Sequence, residues 1–250
     1  MKKYLVAILF SLCCATMLHA RTVSITAAAD LKFCLDLLVT EYQKGHPADT
    51  IQVAYGSSGK AFTQLQQGAP FDLYFSADIE YPRKLGEAGL TASEPKLYAV
   101  GRIVLWSDKE DASKLTLKDL SAERFTKIAI ANPEHAPYGK RAEEALKSAG
   151  VWKSVESRLV LGENISQTAQ FVQSGNAPIG ILALSLVKSP AFASKPYALI
   201  PSDLHQPLEQ ALVIMKRAKE NKLAKDFVNY LFTKQARTIF AQYGFTLPGE

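Results

Sequence analysis

Cysteine is almost absent from the working part of this chain. Cys13 and Cys14 lie in an N-terminal leader, and only Cys34 follows it. One thiol cannot close an internal disulfide, so Cys34 reads as a small buried apolar residue. Long apolar runs are scarce too. The one in MKKYLVAILFSLCCATMLHA, residues 1–20, has a core of about ten residues, short of the ~20 that span a bilayer. Two leading lysines, that short core, and Ala20 before the polar RTVSIT describe a secretory signal peptide cleaved after Ala20. Neither Cys13 nor Cys14 follows the small Gly or Ala expected of a lipoprotein. Runs of one charge are missing as well. The net charge of +5 falls to +3 once Lys2 and Lys3 leave, and the remaining basic residues are scattered, which implies no nucleic-acid or membrane patch. Of four histidines, His19 leaves with the leader, His46 and His205 sit in polar turns, and His135 stands alone in a loop. None is an obvious general base.

What remains is about 230 residues, enough for one large domain or two small ones. Their pattern is rhythmic: a short apolar run, a small-residue loop, then helical spacing. VSITAA leads through Ala29 and Asp30 to Leu31, Leu35, Leu38 and Tyr42, spaced by threes and fours. IQVAY leads through GSSG into KAFTQLQQ, KIAIAN through PEHAPYG into KRAEEALKSA, and RLVLG through Glu163 and Asn164 into ISQTAQFVQS. Glycines 68, 89, 150, 175 and 244 read as helix stops. Strands alternating with helices predict an α/β fold of mainly parallel sheets flanked by helices. The apolar runs Tyr98–Trp106 and Gln210–Lys216 lack such a loop and read as strands that follow crossovers between two lobes. The expected division is 21–96 plus 204–250 for the first lobe and 97–203 for the second.

The loop in AYGSSGKAF, Ala54 to Phe62, admits three chemistries. A nucleotide loop needs a glycine where Ala54 stands and a Ser or Thr where Ala61 stands. Ser57 and Lys60 match the S-x-x-K pattern of serine acyl-enzymes, but its S-D-N and K-T-G partners are absent. The third chemistry is anion capture. Ligands of parallel α/β sheets bind beyond the carboxyl ends of the strands, where each helix start offers unpaired N–H groups and partial positive charge. The strand ends here carry AAAD, GSSG, NPEHAPYG and GENIS. Aimed at one point, they form an anion site without any cation. Taken singly, each loop is equally well an N-cap.

These segments, with QGAPFDLYFSAD, GNAPIGI and the ending FTKQARTIFAQYGF, resemble the periplasmic molybdate-binding proteins of ABC importers over essentially the whole mature length. The resemblance implies a two-lobed periplasmic binding protein fold with the ligand in the interlobe cleft. It implies a monomeric, non-enzymatic periplasmic protein that carries molybdate or tungstate to importer membrane subunits and uses no cofactor. Carried over residue by residue, it assigns the anion to Asp30, Ser58, Tyr138 and the backbone of Ile165, with Ala29 and Ser57 as lesser candidates. A further tyrosine of some members is Ala183 here, and Tyr138 is expected to supply that hydroxyl. Another oxyanion, or ferric iron held by clustered tyrosines or histidines, is the alternative cargo. Lys60, Lys140 and Arg141 read as solvated helix residues.

Asp30 is out of keeping with such a site, since relatives carry a neutral Ser or Asn there. A carboxylate ~5 Å from a dianion is repelled by about 6–7 kcal/mol at an effective dielectric of ~20. Either the carboxylate turns away to cap its own helix, which its place before Leu31 favours, or it is protonated and donates.

Overall fold

The structure, a computed structural model, describes residues 21–192 and 195–249. The leader and its cleavage point lie outside the described residues. In chain order the elements are β1 (Thr22–Ala28), α1 (Lys32–Gly45), β2 (Thr50–Gly56), α2 (Ser58–Gln66), β3 (Leu73–Ser76), α3 (Glu80–Glu87), β4 (Lys96–Gly101) and β5 (Ile103–Trp106). Then come β6 (Ile128–Ala131), α4 (Pro137–Ser148), α5 (Trp152–Val155), β7 (Leu159–Gly162), α6 (Ile165–Gln173), β8 (Ile179–Ala183) and α7 (Leu184–Val187). The chain closes with β9 (Tyr197–Leu199), β10 (Leu208–Ile214), α8 (Lys222–Leu231) and α9 (Lys234–Gln242).

These form two five-stranded sheets, ordered β2-β1-β3-β10-β4 and β7-β6-β8-β5-β9. Each has three parallel strands in a row (β2, β1, β3 and β7, β6, β8). In each, the fourth strand runs antiparallel to both neighbours: β10 in the first, β5 in the second. That antiparallel strand is the one the chain enters on arriving from the other sheet, so the two lobes are built alike around two crossings.

Amphipathic patterning explains how the layers pack. On α1, Cys34, Leu35, Leu38 and Tyr42 are buried at helical spacing against Ile25, Phe75 and Leu212 of the first sheet and Phe227 and Phe240 of α8 and α9. The second core gathers Trp106, Phe125, Ile130, Leu146 and Ile181. Ala28 at the end of β1, Ala29 just beyond it and Ala77 just beyond β3 belong to the first lobe yet join this second core, so apolar contact continues across the cleft. Gly150 and Gly175, which end α4 and α6, have φ of 74° and 78°, the left-handed conformation that stops a helix.

The first crossing corrects the sequence expectation. The single strand expected over Tyr98–Trp106 is two strands in two sheets. Residues through Gly101 pair with β10, and residues from Ile103 pair with β8 and β9, leaving Arg102 between them. The apolar pattern runs on through Arg102, so periodicity alone does not mark the change of sheet. Leu97–Gly101, which the sequence pattern gives to the second lobe, therefore belongs to the first sheet.

Candidate functional site

Four parallel strands end at the same place. After β1 comes the 3-10 turn Ala29–Leu31, after β2 comes α2, after β6 comes α4, and after β7 comes α6. The first two belong to one sheet and the last two to the other, so the helix starts face each other across the cleft. They enclose a small cavity lined by Ala28, Ala29, Asp30, Ser58, Tyr138 and Ile165, with Gly56, Ser57, Ala77, Ala136 and Pro137 completing the wall. No lysine or arginine is on that wall. The first N–H groups of a helix have no acceptor within it, and each start carries about half a positive charge. The wall is therefore electropositive without a formal cation.

Ser58 is oriented by two hydrogen bonds and by burial. Its carbonyl accepts the Tyr74 hydroxyl at 2.8 Å, its hydroxyl oxygen accepts the Ala77 N–H at 3.0 Å, and it is 1% exposed. With its oxygen occupied that way, the hydroxyl proton is left for a ligand. Asn164 caps α6 by accepting the Gln167 N–H at 3.0 Å, which leaves the first N–H, on Ile165, unspent on the cap. Pro137 at the first position of α4 has no N–H to satisfy, so Tyr138 and Gly139 carry the first donors of that helix.

The cleft is shut. Gly59 N–H donates to the His135 carbonyl across it at 2.9 Å, and His135 Nδ1 lies 3.0 Å from Ser57 Oγ. Ser166 Oγ donates to the Ala29 carbonyl at 2.9 Å, and Ser185 Oγ donates to that of Asp30 at 2.8 Å. Two ion pairs cross as well, Lys60 with Glu163 and Arg141 with Asp78 at 3.4 Å. Lys60 and Arg141 are thus not simply solvated. Lys60 bridges the cleft mouth, and Arg141, 7% exposed, also holds Glu144 at 2.6 Å.

Two expectations for the site change. Asp30 does not cap its helix: the 3-10 turn has no side-chain cap, and the carboxyl points into a buried network instead. Its Oδ2 accepts the Tyr138 hydroxyl at 2.9 Å and Gln210 Nε2 at 2.7 Å. The Tyr138 hydroxyl is therefore committed to Asp30, and its oxygen lies 3.0 Å from Gln210 Nε2, so it does not replace the donor missing at Ala183. Burial pushes the Asp30 carboxyl up to about 7, because the desolvation penalty outweighs the Gln210 and Tyr138 hydrogen bonds and the pull of its own backbone N–H, all of which favour its charge. Burial raises the Tyr138 and Tyr98 phenols as well.

The family of bacterial extracellular solute-binding proteins matches residues 23–246. The chain belongs to this family. The solute-binding protein is 38% identical over 213 residues to a molybdate-binding protein, ModA, of Rhodobacter capsulatus, covering 83% of this chain and 80% of that one. It is 35% identical over 240 residues to ModA of Azotobacter vinelandii, covering 94% and 93%. The solved structure of the periplasmic molybdate-binding protein of Azotobacter vinelandii superposes with a TM-score of 0.85 at 29% identity, over 90% of this chain and 99% of that one. The two-lobed periplasmic binding protein fold follows from that likeness and from the two sheets.

Within this solute-binding protein, Ala29, Asp30, Ser57, Ser58, Tyr138 and Ile165 all reach one cavity, although the first and last are more than a hundred residues apart. Sequence reasoning missed Gln210. It is fully buried on β10, where it accepts the Tyr98 hydroxyl at 2.9 Å and donates to Asp30. The signal was available: a glutamine directly before the apolar run ALVIM calls for a buried partner.

Proposed function

We propose that the protein captures molybdate, and tungstate with it, in the cavity between the lobes and delivers it to the membrane subunits of an ABC importer. The observation that carries the reading is the convergence of four helix starts on a cavity without a cation. Such a site suits a small tetrahedral anion, and the molybdate-binding relatives supply its identity. The anion ligands are the N–H groups at Asp30, Tyr138 and Ile165 together with the Ser58 hydroxyl. The lobes are best divided as 21–101 plus 204–250 and 102–203, with the hinge at Arg102 and at the segment between β9 and β10. The protein acts as a periplasmic monomer, exported by the leader in residues 1–20.

Two rival readings have less support. Ser57, His135 and Glu163 suggest a hydrolytic arrangement, but His135 Nε2 is 3.7 Å from Glu163 Oε2, beyond hydrogen-bond reach. Tyr138 is the one tyrosine on the cavity wall, and no group of three or more His, Cys, Asp or Glu gathers among the described residues, which disfavours ferric iron as cargo.

Titration calorimetry of the mature protein tests the proposal. At pH 6 molybdate and tungstate are expected to bind tightly and phosphate weakly, since the N–H groups and the Ser58 hydroxyl donate and burial keeps the Asp30 carboxyl from being an anionic acceptor for a proton carried by the ligand. Binding of phosphate as tight as that of molybdate would overturn it. In the same titration Ser58→Ala removes one charge-assisted hydrogen bond worth about 1.5–3 kcal/mol, a loss of about ten- to hundredfold in affinity.

A further inference from the structure

The Asp30 carboxyl is the one acidic side chain on the cavity wall. Its two oxygens are in different situations. Oδ2 takes both the Tyr138 hydroxyl and Gln210 Nε2, whereas Oδ1 is buried without any hydrogen-bond partner. Asp30 itself is 1% exposed. The groups packed around it offer no counter-charge. Tyr138 faces it from α4, Tyr98 from β4 and Cys34 from α1, and burial raises the pKa of all three, so they are neutral near pH 7. From α6 and α7, Ser166 and Ser185 donate to backbone carbonyls of the turn rather than to the carboxyl. From β10 comes neutral Gln210.

We infer that the protein binds its oxyanion together with one proton, carried on Asp30 Oδ1 and donated to the anion. Tyr138 and Gln210 are the positioning residues that hold the carboxyl for this role. The hydrogen-bond capacities match: in the neutral acid Oδ2 is the carbonyl oxygen, accepting two bonds, and Oδ1–H is a donor that otherwise has no acceptor. The ionised form leaves Oδ1 as a buried, unsatisfied negative charge beside a dianion. The step balances simply. The carboxylate, one proton from solvent and the oxyanion form the complex, and no other bond changes. The inference rests on the oxyanion reading of the cavity.

The pH dependence follows. In the closed protein burial pushes the Asp30 carboxyl up to about 7; opening the cleft parts it from Tyr138 and re-solvates it, so the open unliganded protein releases the proton more readily. From pH 7 upward the proton must be taken up with the anion, and affinity falls up to tenfold per pH unit, about a hundredfold from pH 7 to pH 9. An asparagine reproduces the neutral acid, its carbonyl facing Tyr138 and Gln210 and its NH2 facing the anion, so Asp30→Asn should bind with no such dependence.

The test is calorimetric titration with molybdate at pH 8 in Tris, Hepes and Tricine, whose ionisation heats differ. The wild type is expected to take up about one proton per anion and Asp30→Asn none, with Asp30→Asn binding about a hundredfold more tightly than the wild type at pH 9. Gln210→Leu removes a hydrogen bond that favours the charged carboxyl, so the pH at which affinity begins to fall should move upward. A change in packing alone would not move it. Wild-type binding of molybdate with no proton uptake at pH 8 overturns the inference while leaving the oxyanion site standing. The absence of any molybdate heat at pH 6 overturns the oxyanion reading, and the inference with it.

Discussion

Gly59→Ala is expected to weaken oxyanion binding by about a hundredfold to ten-thousandfold while leaving the unliganded protein folded. A Cβ at position 59 would stand 2.6 Å from the His135 carbonyl oxygen and 2.9 Å from the Tyr81 hydroxyl. The carbonyl is backbone of the opposite lobe, so the strain is relieved by opening the cleft rather than by turning a side chain. Opening withdraws the donors at Tyr138 and Ile165 from an anion held by Ser58. Two charge-assisted hydrogen bonds of about 1.5–3 kcal/mol each account for the range. Alanine is a better helix former than glycine by about 1 kcal/mol, so α2 itself is not harmed. Small-angle scattering should show the wild type compacting with saturating molybdate and Gly59→Ala staying open, with apo melting temperatures within a few degrees of each other. A variant that binds within tenfold of the wild type would show that contact at Gly59 does not limit closure.

Gly139→Ala is expected to act on the fold instead. Gly139 lies in the first turn of α4, where the helix start approaches the end of β6. An added Cβ would sit 2.0 Å from the Ala131 carbonyl oxygen and 2.6 Å from its carbon. Both neighbours are backbone inside one lobe, so the helix must move off its strand. Overpacking of this kind costs about 3 kcal/mol or more, which for a chain of this size lowers the melting temperature by about 6–12 °C. Tyr138 moves with the helix, so binding should fall as well. Thermal unfolding followed by circular dichroism measures this, and an unchanged melting temperature would mean that α4 and β6 are less tightly coupled than the contact distances require.

The strand–loop–helix units were legible because each loop carries small residues where a helix begins and a glycine where it ends. Asn164 and Gly175 mark α6 at both ends in that way. The contacts that set the chemistry were harder to read, since they join residues far apart in the chain. Gln210 reaches Asp30 across 180 positions and Tyr138 reaches it across 108, and no local pattern encodes either pair. Arg141 reads as a solvated helix residue because α4 is rich in charge, yet the face it occupies closes on Asp78 of the other lobe. Asp30 before Leu31 has the form of an ordinary N-cap. It is drawn into the core because two buried donors wait there, a gain that the local rule does not weigh.

A tetrahedral oxyanion is expected to sit where the four helix starts meet. The most direct measurement is an anomalous difference map at the molybdenum edge from crystals of the protein grown with molybdate. One strong peak is expected among the Asp30, Tyr138 and Ile165 N–H groups and the Ser58 hydroxyl, in contact with both lobes. A peak elsewhere, such as the surface groove beside Arg83, Lys216 and Lys219, with the interlobe cavity empty, would contradict it.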